Sequence, residues 1–156
     1  METTDTVTGQ IIVRDDHHCF GCGRLNLYGL RLHFFRTSEG VMAPFTPEQR
    51  HEGYTGVVHG GIITTVLDEV MAWALYAEGI WAVTGDIRVR FRRFVPVGEA
   101  TEAIGRLERD RGRLIDVKGQ IRAADGSILA SATAIFVRVP GDQAEAWRAR
   151  YLANAV

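Results

Sequence analysis

Val58-His59-Gly60-Gly61-Ile62-Ile63-Thr64-Thr65-Val66-Leu67-Asp68-Glu69 is the stretch on which the fold turns. From Ile62 onward, apolar residues recur at helical spacing. Ile62, Ile63, Val66, Leu67, Val70, Trp73, Ala74 and Ala77 share one broad face. The pattern predicts a helix from about Gly61 to Glu78, closed at Gly79, a residue type that often ends helices. Two glycines therefore stand at the helix start, where backbone N–H groups can meet a developing negative charge. Asp68 lies about two turns inside, nearly opposite the centre of the apolar face, among Gly61, Thr65 and Ala72. Those small neighbours leave space for a crevice or another subunit. Glu69 falls closer to the edge of the apolar face.

Strand patterns flank this helix on both sides. Residues 30–36 read as a strand that pairs with Val41–Phe45 across Ser38-Glu39-Gly40. Residues 46–58 hold Pro47, Gly53 and Gly56 and read as a loop. Four strands follow, near 82–95, 100–109, 113–123 and 127–139, with turns at Asp110-Arg111-Gly112 and Asp125-Gly126. A short helix closes the chain near 142–152. One long apolar helix between short antiparallel strands implies an α+β unit, its sheet curled around the helix. The 156 residues suit one domain. We divide them into a flexible leader (1–16), a core domain (17–140) and a short helical tail (141–156).

Composition excludes several function classes. With 18 Lys and Arg against 19 Asp and Glu, the formal net charge is −1, and no basic field points to nucleic acid or to an acidic membrane. The opening Met1-Glu2-Thr3-Thr4-Asp5 is acidic and polar, unlike a signal peptide. No apolar run is long enough to span a bilayer. A cytoplasmic location is expected, with neither nucleic-acid nor membrane partners.

Cys19 and Cys22 form a C-x-x-C within His17-His18-Cys19-Phe20-Gly21-Cys22-Gly23. Zinc would need four ligands, and residues this close in sequence rarely build a tetrahedral cage alone. A redox pair would sit in a strand-then-helix context that is missing here. A glycine-rich structural turn with buried thiols is the preferred reading, with metal and redox roles as alternatives.

His59-Gly60-Gly61 followed by Asp68 resembles the hotdog-fold acyl-CoA thioesterases of the PaaI-like type. Two flanking segments strengthen the likeness: Cys19-Phe20-Gly21-Cys22-Gly23 with Asn26 and Gly29-Leu30, and Phe91-Arg92-Arg93-Phe94-Val95-Pro96-Val97-Gly98. The resemblance covers roughly residues 17–139. It implies a hotdog fold, a homodimer (or a dimer of such dimers, a homotetramer) with sites at the subunit boundary, and hydrolysis of an acyl- or aryl-CoA thioester. By that likeness the Gly60 N–H polarises the thioester carbonyl and His59 helps position substrate. Asp68 is the catalytic carboxylate, and Thr84 matches a hydroxyl found in some relatives. Other relatives carry Glu at the Asp68 position or a hydroxyl where this chain has Ala72.

Geometry adds to this. Gly60 and Asp68 are about 12 Å apart along one helix, so one carbonyl cannot touch both within a chain. Two antiparallel helices would bring Gly60 of one chain to Asp68 of the other. Asp68 then either deprotonates water or attacks the carbonyl to give a mixed anhydride. No metal and no cofactor is required; coenzyme A is part of the substrate.

Gly61 and Glu69 are further candidate substrate contacts. So are Arg90, Arg92 and Arg93, because arginine suits the phosphates of CoA. Arg88, Arg90 and Arg92 share one strand face, although charged residues on exposed strands are routine. His51 and Glu52 read as solvated loop residues near the site. Trp73, Tyr76 and Trp81 read as core or interface. Two rival functions remain: a non-catalytic acyl-CoA sensor on the same fold, and an enoyl-CoA hydratase.

Overall fold

The expected helix is the centre of the structure. In the computed structural model, which describes residues 9–11 and 13–152, helix α1 runs Gly60–Tyr76. Its residues Val66, Leu67, Val70, Met71 and Leu75 are fully enclosed. Among the described residues the sheet that wraps it has seven antiparallel strands: β1 (Gly9–Ile11), β2 (Phe34–Thr37), β3 (Gly40–Phe45), β4 (Ala82–Phe91), β5 (Thr101–Asp110), β6 (Leu114–Ala123) and β7 (Ile128–Arg138). Their order across the sheet is β1-β2-β3-β5-β6-β7-β4. Helix α2 (Gly141–Tyr151) follows β7 and buries none of its residues. This is the hotdog arrangement.

Two glycines let α1 lie directly on the sheet. A Cβ on Gly105 would strike the Val70 carbonyl, and one on Gly119 would come within 2.9 Å of Met71 Cγ. Any side chain there would push the helix off the strands and open the core of Phe34, Ile115, Ile121 and Phe136. The hairpin turns fall where glycine is needed. Gly112 (φ 89°) and Gly126 (φ 86°) adopt the left-handed conformation between β5 and β6 and between β6 and β7.

Several boundaries differ from the sequence reading. The strand expected over 30–36 begins only at Phe34, because Leu30 and Leu32 are tied by their N–H groups to the carbonyls of Phe20 and Gly21. Strand β4 ends at Phe91 rather than near 95. Arg92 and Arg93 both donate to the Leu129 carbonyl there, which turns the chain away. The 46–58 loop holds a short 3-10 helix, Gln49–His51. Within the stretch read as a flexible leader, Gly9–Ile11 pairs with β2, Val13 bridges Leu152, and Arg150 holds Asp16 at 3.1 Å. Residues 1–8 of that leader lie outside the described residues.

Strand β4 is one border of the sheet and runs antiparallel to β7. Its register shifts between Thr84 and Asp86, so the bulge at Gly85 changes which side chains point inward. Thr84, Ile87, Val89 and Phe91 lie on the face that carries α1. Asp86, Arg88 and Arg90 lie on the other, opposite Ile135, Thr133 and Ser131 of β7, and Arg92, just past the strand, reaches Ser131 on that same side.

Candidate active site

The start of α1 is capped by its own preceding residue. His59 has extended backbone (φ −60°, ψ 134°), and its Nδ1 accepts from the Gly61 N–H at 2.9 Å. A Cβ on Gly61 would sit 3.0 Å from that nitrogen, so glycine lets the imidazole close over the helix end. Because Nδ1 accepts, the neutral ring carries its proton on Nε2. The His59 N–H donates to the His51 carbonyl at 2.9 Å, which fixes the entry of the chain.

Gly61 therefore spends its N–H inside the protein. The Gly60 N–H has no acceptor among the described residues and remains one of the free donors of a helix start. Gly60 lies beside Phe91 of β4: a Cβ would stand 3.4 Å from the ring, an ordinary contact. Phe91 is 54% exposed.

Two turns further on, Asp68 is half-buried. Thr84 Oγ1 donates to its Oδ1 at 2.5 Å. Burial pushes the Asp68 carboxyl above the usual carboxylate range, and the Thr84 hydrogen bond partly offsets this. Thr84 engages one oxygen, which leaves Oδ2 for a proton or a carbonyl carbon. Helix and strand are thus matched end to end, Asp68 against Thr84 and Gly60 against Phe91.

Other candidates are placed differently. Glu69 is not at the edge of an open crevice. It is half-buried beneath Cys19, whose Sγ lies 3.7 Å from Oε1, and it accepts from Trp73 Nε1 at 3.2 Å. Burial, followed by the charge of Cys19, pushes its carboxyl up to about 7. Ala72, expected on the outer face with Asp68, is also buried. The 17–32 loop lies over this side of the helix, and helical periodicity does not register a covering loop.

Arg90 and Arg92 line a groove of about 420 Å³ with Arg88, Arg106 and Lys118. That groove is on the sheet face opposite α1, so within one chain it does not join Asp68 and Gly60. Arg93 is exposed past the end of β4.

His51 was read as solvated, yet it is buried. Its ring packs on Phe45 (centroids 5.6 Å apart), and its Nδ1 accepts from Glu48 N–H at 2.9 Å. Desolvation holds its pKa below the usual histidine value. Glu52 accepts from Gly56 N–H within the same loop. Trp73 and Trp81 are core residues; Trp73 stacks on Phe34, and Trp81 on Tyr76. The supports that sequence reasoning missed, His51 behind His59 and Phe91 beside Gly60, are contacts between elements and leave no spacing signal.

Known proteins point the same way. Residues 55–130 match the family model described as the thioesterase superfamily, a segment holding His59, Gly60, Asp68 and Thr84. Acyl-coenzyme A thioesterase THEM4 of Rattus norvegicus is 28% identical over 93 residues, covering 59% of this chain and 40% of that protein. The chain thus spans about two fifths of the length of that relative. A crystal structure of a thioesterase superfamily protein superposes with TM-score 0.73 at 30% identity, covering 77% of this chain and 60% of the other. The PaaI protein of the E. coli phenylacetic acid degradation operon gives TM-score 0.67 at 18% identity, over 72% of this chain and 82% of its own. A Streptococcus pneumoniae thioesterase protein solved with coenzyme A gives 0.62 at 16% identity, over 64% and 80%. The likeness to the thioesterase superfamily is shown in both sequence and fold, and that to PaaI in fold.

Proposed function

We propose that this chain hydrolyses the thioester of an acyl- or aryl-coenzyme A, with Asp68 as base or nucleophile and the Gly60 N–H as oxyanion donor. One observation carries the reading. A half-buried carboxylate held by a hydroxyl and an unpartnered helix-start N–H lie at opposite ends of the same border strand.

That strand offers the means to join them. Among the described residues β4 is ten residues long, largely exposed, and has no neighbour on its outer side. A long open border strand is a template for pairing. Antiparallel pairing of two β4 strands about a two-fold axis near their middle brings the Thr84 end of one protomer to the Phe91 end of the other. Asp68 then faces the partner's Gly60, and the homodimer holds two composite sites. This removes the separation of about 12 Å along a single helix.

The chemistry follows from the placement. The thioester oxygen accepts from Gly60 N–H at the positive end of α1, and its negative charge grows as the carbonyl is attacked. In the general-base route Asp68 Oδ2 takes a proton from water, and the hydroxide oxygen bonds to the carbonyl carbon. Collapse of the tetrahedral intermediate breaks the C–S bond, and CoA leaves as thiolate and takes up the proton. In the nucleophilic route Asp68 bonds to the carbon first, CoA departs, and water then cleaves the mixed anhydride. Thr84 fixes the carboxylate in either case. His59, its protonated Nε2 without a partner among the described residues, serves as a substrate contact.

Three comparisons support this choice. The THEM4 relative is an acyl-coenzyme A thioesterase, and the S. pneumoniae protein was solved with coenzyme A. Alanine variants of the latter replace an aspartate and a threonine sixteen positions apart, the spacing of Asp68 and Thr84 here. The test is free-thiol release from a panel of acyl-CoAs by the unmodified protein, with binding measured in parallel. Release establishes the hydrolase. Binding without release makes this an acyl-CoA sensor instead.

A further inference from the structure

We infer that Cys19, Cys22 and Glu69 form a binding site for a thiophilic divalent cation of the zinc class, separate from the catalytic pair. Their ligand atoms all lie within 4.8 Å of one another. Cys19 Sγ is 3.7 Å from Glu69 Oε1 and 4.0 Å from Oε2. A tetrahedral zinc with Zn–S of about 2.3 Å and Zn–O of about 2.0 Å holds sulfur and oxygen about 3.5 Å apart. Cys19 and Glu69 need to close by only a few tenths of an ångström, and no pair of ligand atoms by more than about 1 Å.

The backbone is shaped for this approach. The Gly23 N–H donates to the Cys19 carbonyl at 2.8 Å and closes the C-x-x-C turn. A Cβ on Gly23 would strike the His17 carbonyl, and a Cβ on Gly21 would strike the Glu69 carboxylate itself. Gly23 is thus required by the turn's own backbone, and Gly21 lets the turn press onto the half-buried Glu69 carboxylate. On the helix side, Trp73 Nε1–H holds Oε1 at 3.2 Å, the kind of outer contact that orients a ligating carboxylate.

Charge supplies the driving force. No Lys or Arg side chain pairs with Glu69 among the described residues; its partners are two thiols and an indole. A carboxylate buried without a cation is costly, and a divalent ion replaces the missing charge. Thiolate ligands favour zinc over magnesium or calcium. The neighbouring histidines are not ligands. His17 uses Nε2 on the Arg14 carbonyl (2.8 Å) and Nδ1 on the Cys19 N–H (3.2 Å), and His18 is exposed. The set is two sulfurs and one oxygen, with the fourth position left to water beside half-exposed Cys19. The ion would pin the 17–32 loop to α1.

The experiment uses the reduced, chelator-stripped full chain, titrated with cobalt(II) and then zinc(II). The expected result is one ion per chain and a near-ultraviolet thiolate-to-cobalt charge-transfer band that zinc abolishes. Cys22→Ser loses the band. Trp73→Phe keeps it but binds zinc about 10–100-fold more weakly. A cobalt spectrum without the thiolate band, or no zinc uptake at micromolar concentration, overturns the assignment. The band in the unmutated chain decides the matter even if a serine variant fails to fold. None of these readouts depends on thioester hydrolysis.

Discussion

Replacing Gly60 by proline removes one backbone N–H and little else. Gly60 is the first residue of α1, where proline is favoured and its missing N–H breaks no helical hydrogen bond. The residue before a proline must be extended, and His59 already is, at φ −60° and ψ 134°. A Cβ at position 60 meets only the exposed Phe91 ring, at 3.4 Å. The neighbouring Gly61 N–H cannot substitute, being held by His59 Nδ1 at 2.9 Å. Loss of one oxyanion donor costs about 3–4 kcal/mol of transition-state stabilisation, or about 10²–10³ in kcat. We expect that loss in Gly60→Pro, with Tm moved by no more than about 2 °C. Gly60→Ala keeps the N–H and should stay within about threefold of the unmodified protein. Steady-state thiol release, resolving kcat from KM, with far-ultraviolet circular dichroism as the folding control, makes the comparison. A folded Gly60→Pro protein with kcat within tenfold of the original would refute the oxyanion role.

Four further outcomes are expected. In Thr84→Val the hydrogen bond that lowers the Asp68 pKa is gone, so the acid limb of kcat/KM moves to higher pH; an unmoved limb denies the coupling. Mixing inactive Gly60→Pro and Asp68→Asn chains through unfolding and refolding should restore roughly a quarter of full activity, one intact composite site in each mixed dimer; no restoration means that each site lies within one chain. Gly105→Ala forces a Cβ into the Val70 carbonyl and should cost about 3 kcal/mol, lowering Tm by about 6–12 °C in a thermal melt. Arg138 and the Gly112 N–H hold the Asp110 carboxyl down at about 2, so this group stabilises the fold above its unfolded pKa and loses that effect as pH falls toward 2. Asp110→Asn should flatten the acid side of the stability curve between about pH 4 and 2, as read by denaturant melts.

The helix, the last four strands and their turns were legible because each rests on local chemistry. Periodicity gave α1, and Gly112 and Gly126 marked the hairpins. Asp68, Gly60 and Thr84 were nominated by motif and family resemblance, and Asp68 and Thr84 are in hydrogen-bond contact. What local chemistry could not show was what covers what. Ala72 and Glu69 read as open or marginal positions, yet Ala72 is buried and the 17–32 loop lies over Glu69. His51 read as a solvated loop residue, yet it packs on Phe45 and supports His59. Arg88 and Arg90 do share one strand face, with Arg92 reaching that side from just past the strand, but only the register with β7 showed that this face points away from α1. Glu69, the acid beside Cys19 and Cys22, lay some fifty positions away, beyond any C-x-x-C pattern.

The most direct measurement is thiol release from acyl-CoA by Asp68→Asn beside the unmodified protein. The substitution keeps the shape of the side chain and the Thr84 hydrogen bond while removing the base. Release should fall by about 10²–10⁴-fold in a protein with unchanged circular dichroism and unchanged acyl-CoA affinity. Turnover equal to that of the unmodified protein would contradict catalysis by this carboxylate.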